Sequence, residues 1–187
     1  MSDESIIDDF SVSSGKRLST LTISKSAPQV FVDAHGNATE SIKDIKIPYV
    51  VPTVNAGMRF LYYIIELILF IFISGILSEV VFVELLGLNH LVSEMLSYTH
   101  LFLYYFVLES TLGSSIIKEV FGYTVINDFA QKISMQEAAI RAISRYVPFE
   151  AFSCLGSPSW GWHDKWAKTY VVKKSDVKNI QLALNKN

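Results

Sequence analysis

Residues Phe60–Leu77 read FLYYIIELILFIFISGIL, eighteen residues in which Glu66 is the only charge. As an α-helix this run rises roughly 27 Å, close to the ~30 Å hydrocarbon core of a bilayer. It therefore predicts a transmembrane helix over about 58–78. A second run, Leu96–Leu112 (LSYTHLFLYYFVLESTL), is interrupted by His100 and Glu109 but keeps its Leu, Phe and Tyr density, and it predicts a second membrane helix over about 96–113. The fold class expected is an α-helical integral membrane protein whose two transmembrane helices form a hairpin.

The charge distribution around these runs agrees. Of the 187 residues half are hydrophobic and 18% are charged, and the mean hydropathy is +0.32, values that argue against an ordinary soluble domain. Residues 60–117 contain five Glu and no Lys or Arg, whereas residues 118–187 contain ten Lys/Arg and six Asp/Glu. A cation-free middle between basic flanks points to the lipid bilayer as partner and away from nucleic acid. Arg59 precedes the first helix, and Lys118, Lys132, Arg141 and Arg145 follow the second, so both termini are expected in the cytoplasm. Ser78–Met95 is then an acidic extracytoplasmic connection, and the location is the cell (inner) membrane, crossed by more than one pass. Tyr62, Tyr63, Tyr98, Tyr104 and Tyr105 suit aromatic anchoring at the interfaces. The acidic start of the chain lacks the basic and apolar regions of a signal peptide.

Outside the helices the chain divides by composition. Residues 1–27 are polar and are expected as a mobile tail, and 28–54 as a cytoplasmic segment with a small hairpin, limited to an edge by Pro48 and Pro52. Residues 55–172 form the membrane domain. Within it, Gly122–Ile126 and Gln131–Ile133 flank a turn as a second small β-hairpin, and Thr169–Val172 reads as a strand pairing with it. Ser134-Met135-Gln136-Glu137 is a capping box that opens a cytoplasmic amphipathic helix, with Arg141 and Arg145 one turn apart on one face, ending before Pro148. Val147–Leu155 is too short to span, and docking at the interface or dipping into the membrane are both compatible with it. Residues 173–187 are a basic C-terminal tail.

Glu66 is the deepest ionisable group of the first helix, two turns beyond Arg59 on the same face. A charge there costs roughly 2.5–3.5 kcal/mol on insertion scales, so it should face protein or a wet cavity. Two uses fit such an acid: a protonatable or cation-binding carboxylate, or a buried partner for Arg59, Arg141 or Arg145. Glu109 lies near the cytoplasmic end of the second helix, where interfacial solvation can account for it. Convergence of Arg59, Glu66, Glu109, Arg141 and Arg145 would make a mixed-charge cluster, a candidate ion or proton pathway. Glu150, His163 and Asp164 are expected to be structural, since adjacent His and Asp seldom orient one another and no nucleophile elbow accompanies them. The lone Cys154 excludes an intrachain disulfide, and scattered His35, His90 and His100 show no ligand spacing, so no metal or other cofactor is expected.

Met58-Arg59-Phe60 leading into a helix that bears Glu66, then ESTLGSSIIKEVFG (109–122), Arg141, RYVPFE (145–150), Gly161-Trp162-His163-Asp164 and Thr169-Tyr170-Val171-Val172 resemble the RDD family of small membrane proteins. The resemblance covers roughly Asn55–Val172. It puts the family's Arg and two Asp positions on Arg59, Glu66 and Asp164, with Glu66 replacing an Asp. In the family's Gly-x-Thr-x-Gly-Lys stretch, Gly113 and Lys118 stand, Ser115 replaces Thr, and Ile117 replaces the second Gly. The resemblance implies transport of ligands or ions. The expected function is movement or binding of a proton, cation or small solute through a Glu66-centred cluster, in a homo-oligomer or with a partner membrane protein, because two helices cannot enclose a pathway alone. A non-transporting scaffold whose charges fix helix packing is the alternative, and an enzyme is not expected.

Overall fold

Asn55 starts the first long helix: its side chain accepts the Met58 N–H at 2.8 Å, satisfying one of the free donors of the first turn. The computed structural model describes residues 15–32, 38–155 and 159–186. Helix α1 covers Ala56–Ile76 and runs on without a break into wide π-type turns over Leu77–Leu85. Helix α2 covers His90–Leu112; Asn89 caps its start by accepting the Val92 N–H at 2.9 Å, and Gly113 closes it in the left-handed conformation (φ 72°) that glycine adopts without strain. The expected connection Ser78–Met95 is thus mostly helical, because Val80–Val83 contains neither Pro nor Gly to end α1 and only 86–89 separate the two helical runs.

The helices pack antiparallel. The Ser78 and Ser93 hydroxyls meet at 2.6 Å, Phe70 stacks on His100 at 5.9 Å, and the Tyr105 hydroxyl donates to Glu66 at 2.9 Å. The runs Ala56–Leu85 and His90–Val120 are long and apolar enough to cross a membrane, yet only 6% and 11% of their most apolar windows are buried. Tyr62 and Tyr105, expected as interfacial anchors, are instead packed inside.

Below the helices, β3 (Tyr123–Asn127) and β4 (Thr169–Lys173) pair antiparallel, and the Val54 N–H donates to the Val171 carbonyl at 3.0 Å, fastening the start of α1 to this sheet. Short α3 (Ile116–Val120), α4 (Met135–Ser144) and α5 (Trp162–Ala167) surround it. The capping box at Ser134 and Glu137 is complete. The polarity of α4 is inverted relative to a helix in water: Ala138, Arg141, Ala142 and Ser144 face inward, and Met135, Ile140 and Ile143 face outward.

Both expected tails change. Thr22–Val32 (β1) pairs with Ala38–Pro48 (β2) along its full length, so the boundary expected at residue 27 runs through a strand. Ser24, Lys25 and Ser26 interrupt the apolar residues of β1 and obscure the strand, and Pro28 and Pro48 are tolerated because each strand of a two-stranded sheet is an edge. The expected turn Asp33–Asn37 and residues 1–14 lie outside the described residues. Leu18 is buried, and its N–H donates to the Asp128 carbonyl at 2.7 Å. The basic segment 173–187 contains α6 (Val177–Lys186), with Val177, Ile180 and Leu184 buried beside Ile126 and Val172. Apolar residues three and four positions apart make one helical face, which the surrounding charges obscure.

Ile180 is fully buried in that core. Ile180→Ala should cost about 2–5 kcal/mol, read as a lower unfolding temperature of the detergent-solubilised protein with α1 and α2 still helical by circular dichroism.

Candidate functional site

At the lower end of the two long helices, charged side chains from five elements meet out of water. Arg59 stands in the first turn of α1, and its Nη1 donates to Asp164 Oδ2. Asp164, in the first turn of α5, also accepts from Arg141 Nη1 of α4 through Oδ1. Arg141 continues the chain: its Nε donates to Glu109 Oε2 of α2 at 2.7 Å, and its Nη1 also donates to the Thr169 hydroxyl at 2.5 Å. Glu109 further accepts from Lys118 Nζ at 2.8 Å and Arg145 Nη2 at 3.3 Å. Glu109, Lys118, Arg141 and Asp164 are 0% exposed.

These positions follow from helix geometry. Arg141 and Arg145, one turn apart, present both guanidinium groups to α2. Arg59 pairs with Asp164, not with the Glu66 of its own helix. Glu109, expected to be solvated, has instead three cations around it, which is what a buried carboxylate requires. Burial alone would raise the pKa of Asp164, but Arg59, His163 and Arg141 reverse this and hold it well below the usual carboxylate range.

Glu66 differs from the other acids. It is 3% exposed and has no ion pair among the described residues. Its carboxylate accepts from the Tyr105 hydroxyl at 2.9 Å and from the Ser115 hydroxyl. The face of Tyr105 in turn receives the Arg145 guanidinium, 3.8 Å from the ring centroid. The cluster therefore balances four cations (Arg59, Lys118, Arg141, Arg145) against four carboxylates (Glu66, Glu109, Glu150, Asp164), with one acid linked by hydroxyls only.

His163 lies between Glu150, which contacts Nδ1, and Asp164, 3.4 Å from Nε2. Adjacent His and Asp do therefore meet, because α5 turns both inward. Burial pushes the His163 pKa below its ordinary value, against the pull of Asp164. Cys154 joins Glu150 and His163 in a group with metal-ligand chemistry, its donor atoms within 4.8 Å of one another. A Cβ at Gly161 would collide with the Cys154 sulfur. The setting opposes a cation, however: Arg59 Nη1 is 3.9 Å from that sulfur, and Glu150 already contacts His163.

The structure joins all five expected pathway residues with the three expected structural ones. Sequence reasoning missed Lys118, Ser115, Tyr105 and Thr169 as members. Lys118 had a signal, being the first cation after the cation-free stretch. Ser115 and Thr169 stood in the motifs that carry the family resemblance, whereas Tyr105 had no signal, being one of several tyrosines along α2.

The sequence profile of the RDD family matches residues 53–168, well over half of the chain. The chain belongs to the RDD family. No curated protein and no solved structure matches it. Membership makes this a membrane-associated protein, as the two long apolar helices also indicate. The departures from the RDD pattern are readable in the fold. Ser115 keeps the hydroxyl of the usual Thr and uses it on Glu66. Ile117 replaces a Gly inside α3, where no positive φ is needed, whereas Gly113 needs one and is kept.

Asp164→Asn removes an acid that holds two arginines, and breaking a buried pair costs about 3–5 kcal/mol. The variant should show a lower unfolding temperature in detergent. In a double-mutant cycle with Arg59→Met, the pair of changes should cost less than the sum of the two single changes.

Proposed function

We propose that this RDD protein moves or binds a proton, cation or small solute through Glu66. The observation that carries this reading is that Glu66 is the cluster acid held by hydroxyls alone. Releasing or accepting a proton or cation at Glu109 or Asp164 breaks salt bridges to two or three cations, whereas at Glu66 it rearranges two hydroxyl groups. Ionisable side chains inside a membrane are rare and mark substrate and ion pathways as well as pairing with one another. Its neighbours then have defined parts: Tyr105 and Ser115 orient the carboxylate, Arg145 stacked on Tyr105 sets the local potential, and the Arg59–Asp164–Arg141–Glu109 chain fixes the frame.

In this reading α1 and α2 are a transmembrane hairpin in the cell (inner) membrane, with both termini cytoplasmic. Two helices do not surround a pathway, so a homo-oligomer or a partner membrane protein completes it, and the protein performs no catalysis. The second reading, a non-transporting scaffold, draws on the charge balance of the cluster, which resembles an assembly lock as much as a conduit.

Flux in proteoliposomes separates the two. Glu66→Gln keeps side-chain volume and removes the charge, and it should abolish proton-coupled or cation flux while leaving the unfolding temperature within a few degrees of native. Glu66→Asp should retain flux with a shifted pH dependence. Native flux by folded Glu66→Gln at every pH would leave the scaffold reading. Topology is tested separately: with Cys154 replaced, a cysteine at position 89 should react with an impermeant thiol reagent from the extracytoplasmic side only.

A further inference from the structure

Residues 138–155 sort their side chains in the reverse of the order seen on a surface in water. The charged groups, Arg141, Arg145 and Glu150, all turn inward to the cluster, while Ile140, Ile143, Tyr146, Phe149, Phe152 and Leu155 are exposed, Phe149 at 77%. A patch of this kind in water would be an aggregation surface; in a bilayer it is the ordinary arrangement.

The position of the segment agrees. Near its start, Lys132 Nζ donates to the Thr111 carbonyl at 2.5 Å, at the lower end of α2. Just past the end of α4, in the middle of the segment, the Tyr146 hydroxyl donates to the Tyr98 carbonyl at 2.5 Å. Tyr98 precedes Leu112 by fourteen residues, or roughly 21 Å at the α-helical rise. Helix α4 therefore climbs antiparallel along α2 well into the apolar band. The chain then reverses at Val147-Pro148-Phe149, with Phe149 at φ 66°, and a 3-10 helix over Glu150–Leu155 descends beside α1, bringing Cys154 back to Arg59.

The backbone of the reversal is equipped for lipid. Non-helical chain at membrane depth is tolerated only where its polar groups find partners. The N–H groups of Tyr146, Val147, Glu150 and Phe152 donate to the carbonyls of Ile143, Ser144, Val147 and Phe149 at 3.0–3.1 Å.

We infer that residues 138–155 form a re-entrant hairpin inserted into the membrane from the side of the α1 N-terminus, its outer face covered by acyl chains continuous with those around α2. The hairpin is a third wall of the polar cluster, and it seals Arg141 and Arg145 from the lipid.

Native protein in vesicles of phosphatidylcholine and phosphatidylglycerol containing a phospholipid with a diazirine near the end of its acyl chain tests this directly. Photolysis should place adducts on peptides from 138–155 as well as on α1 and α2; adducts on α1 and α2 with none on 138–155 would overturn it. Spin labels at positions 143, 149 and 152, introduced singly with Cys154 replaced by Ala, give a second measurement. Collisions with oxygen should exceed those with a water-soluble nickel chelate, as at Leu103 of α2. Dominance of the chelate would put the segment in water, and low collision with both reagents together with spin–spin broadening would assign its face to a second copy of the chain. Either result excludes lipid as the covering.

Discussion

A single carboxylate holds the lower half of the molecule together. Asp164 receives one guanidinium from α1 and another from α4, across 105 and 23 residues of chain. Both arginines are at most 1% exposed, so neither can turn to water if the acid is lost. Desolvating such groups is expensive, and only dense mutual pairing offsets it. Everything that approaches the cluster is placed by this requirement. Helix α4 must present Arg141 and Arg145 toward α2, α5 must turn His163 and Asp164 inward, and the β3–β4 sheet must hold Thr169 and the start of α1 at the same level.

The cost of that arrangement bears on its meaning. A buried ionic network is weak as a device for stability, since apolar side chains of similar volume often pack as well or better. This RDD protein nevertheless keeps four cations and four carboxylates out of water. Within the network the acids are unequal: Glu109 and Asp164 are saturated with cations, and Glu66 is bounded by Tyr105 and Ser115. The inequality separates acids locked by cations from one that is held by hydroxyls.

The same inward sorting of charge shapes the outside. Because Arg141, Arg145 and Glu150 face in, the opposite side of their segments is left apolar, and the surface of α4 and of the turn after it becomes continuous in character with the long helices. The part around α6 obeys the ordinary rule, with Ile126, Val172 and Ile180 inside and Lys173, Lys174 and Lys178 outside.

The sequence by itself determined the membrane class, the two long helices, the capping box at Ser134 and Glu137, and the family. These are local properties: apolar length, charge asymmetry and short motifs act over a few turns and survive without knowledge of contacts. It also brought forward seven of the charged residues, and the one His, that meet in the cluster, because a charge inside or beside an apolar run is visible as a violation. Only the tertiary structure decided who pairs with whom. The proximity of Arg59 and Glu66 along one helix suggested a pair, but Arg59 reaches Asp164, since side-chain direction and the packing of α5 outweigh spacing in the chain. The burial of Glu109, the hydroxyl setting of Glu66, the strand hidden in a polar N-terminal segment and the docking of α6 likewise depend on surfaces supplied by residues far away in sequence. No periodicity in one segment records what another segment will cover.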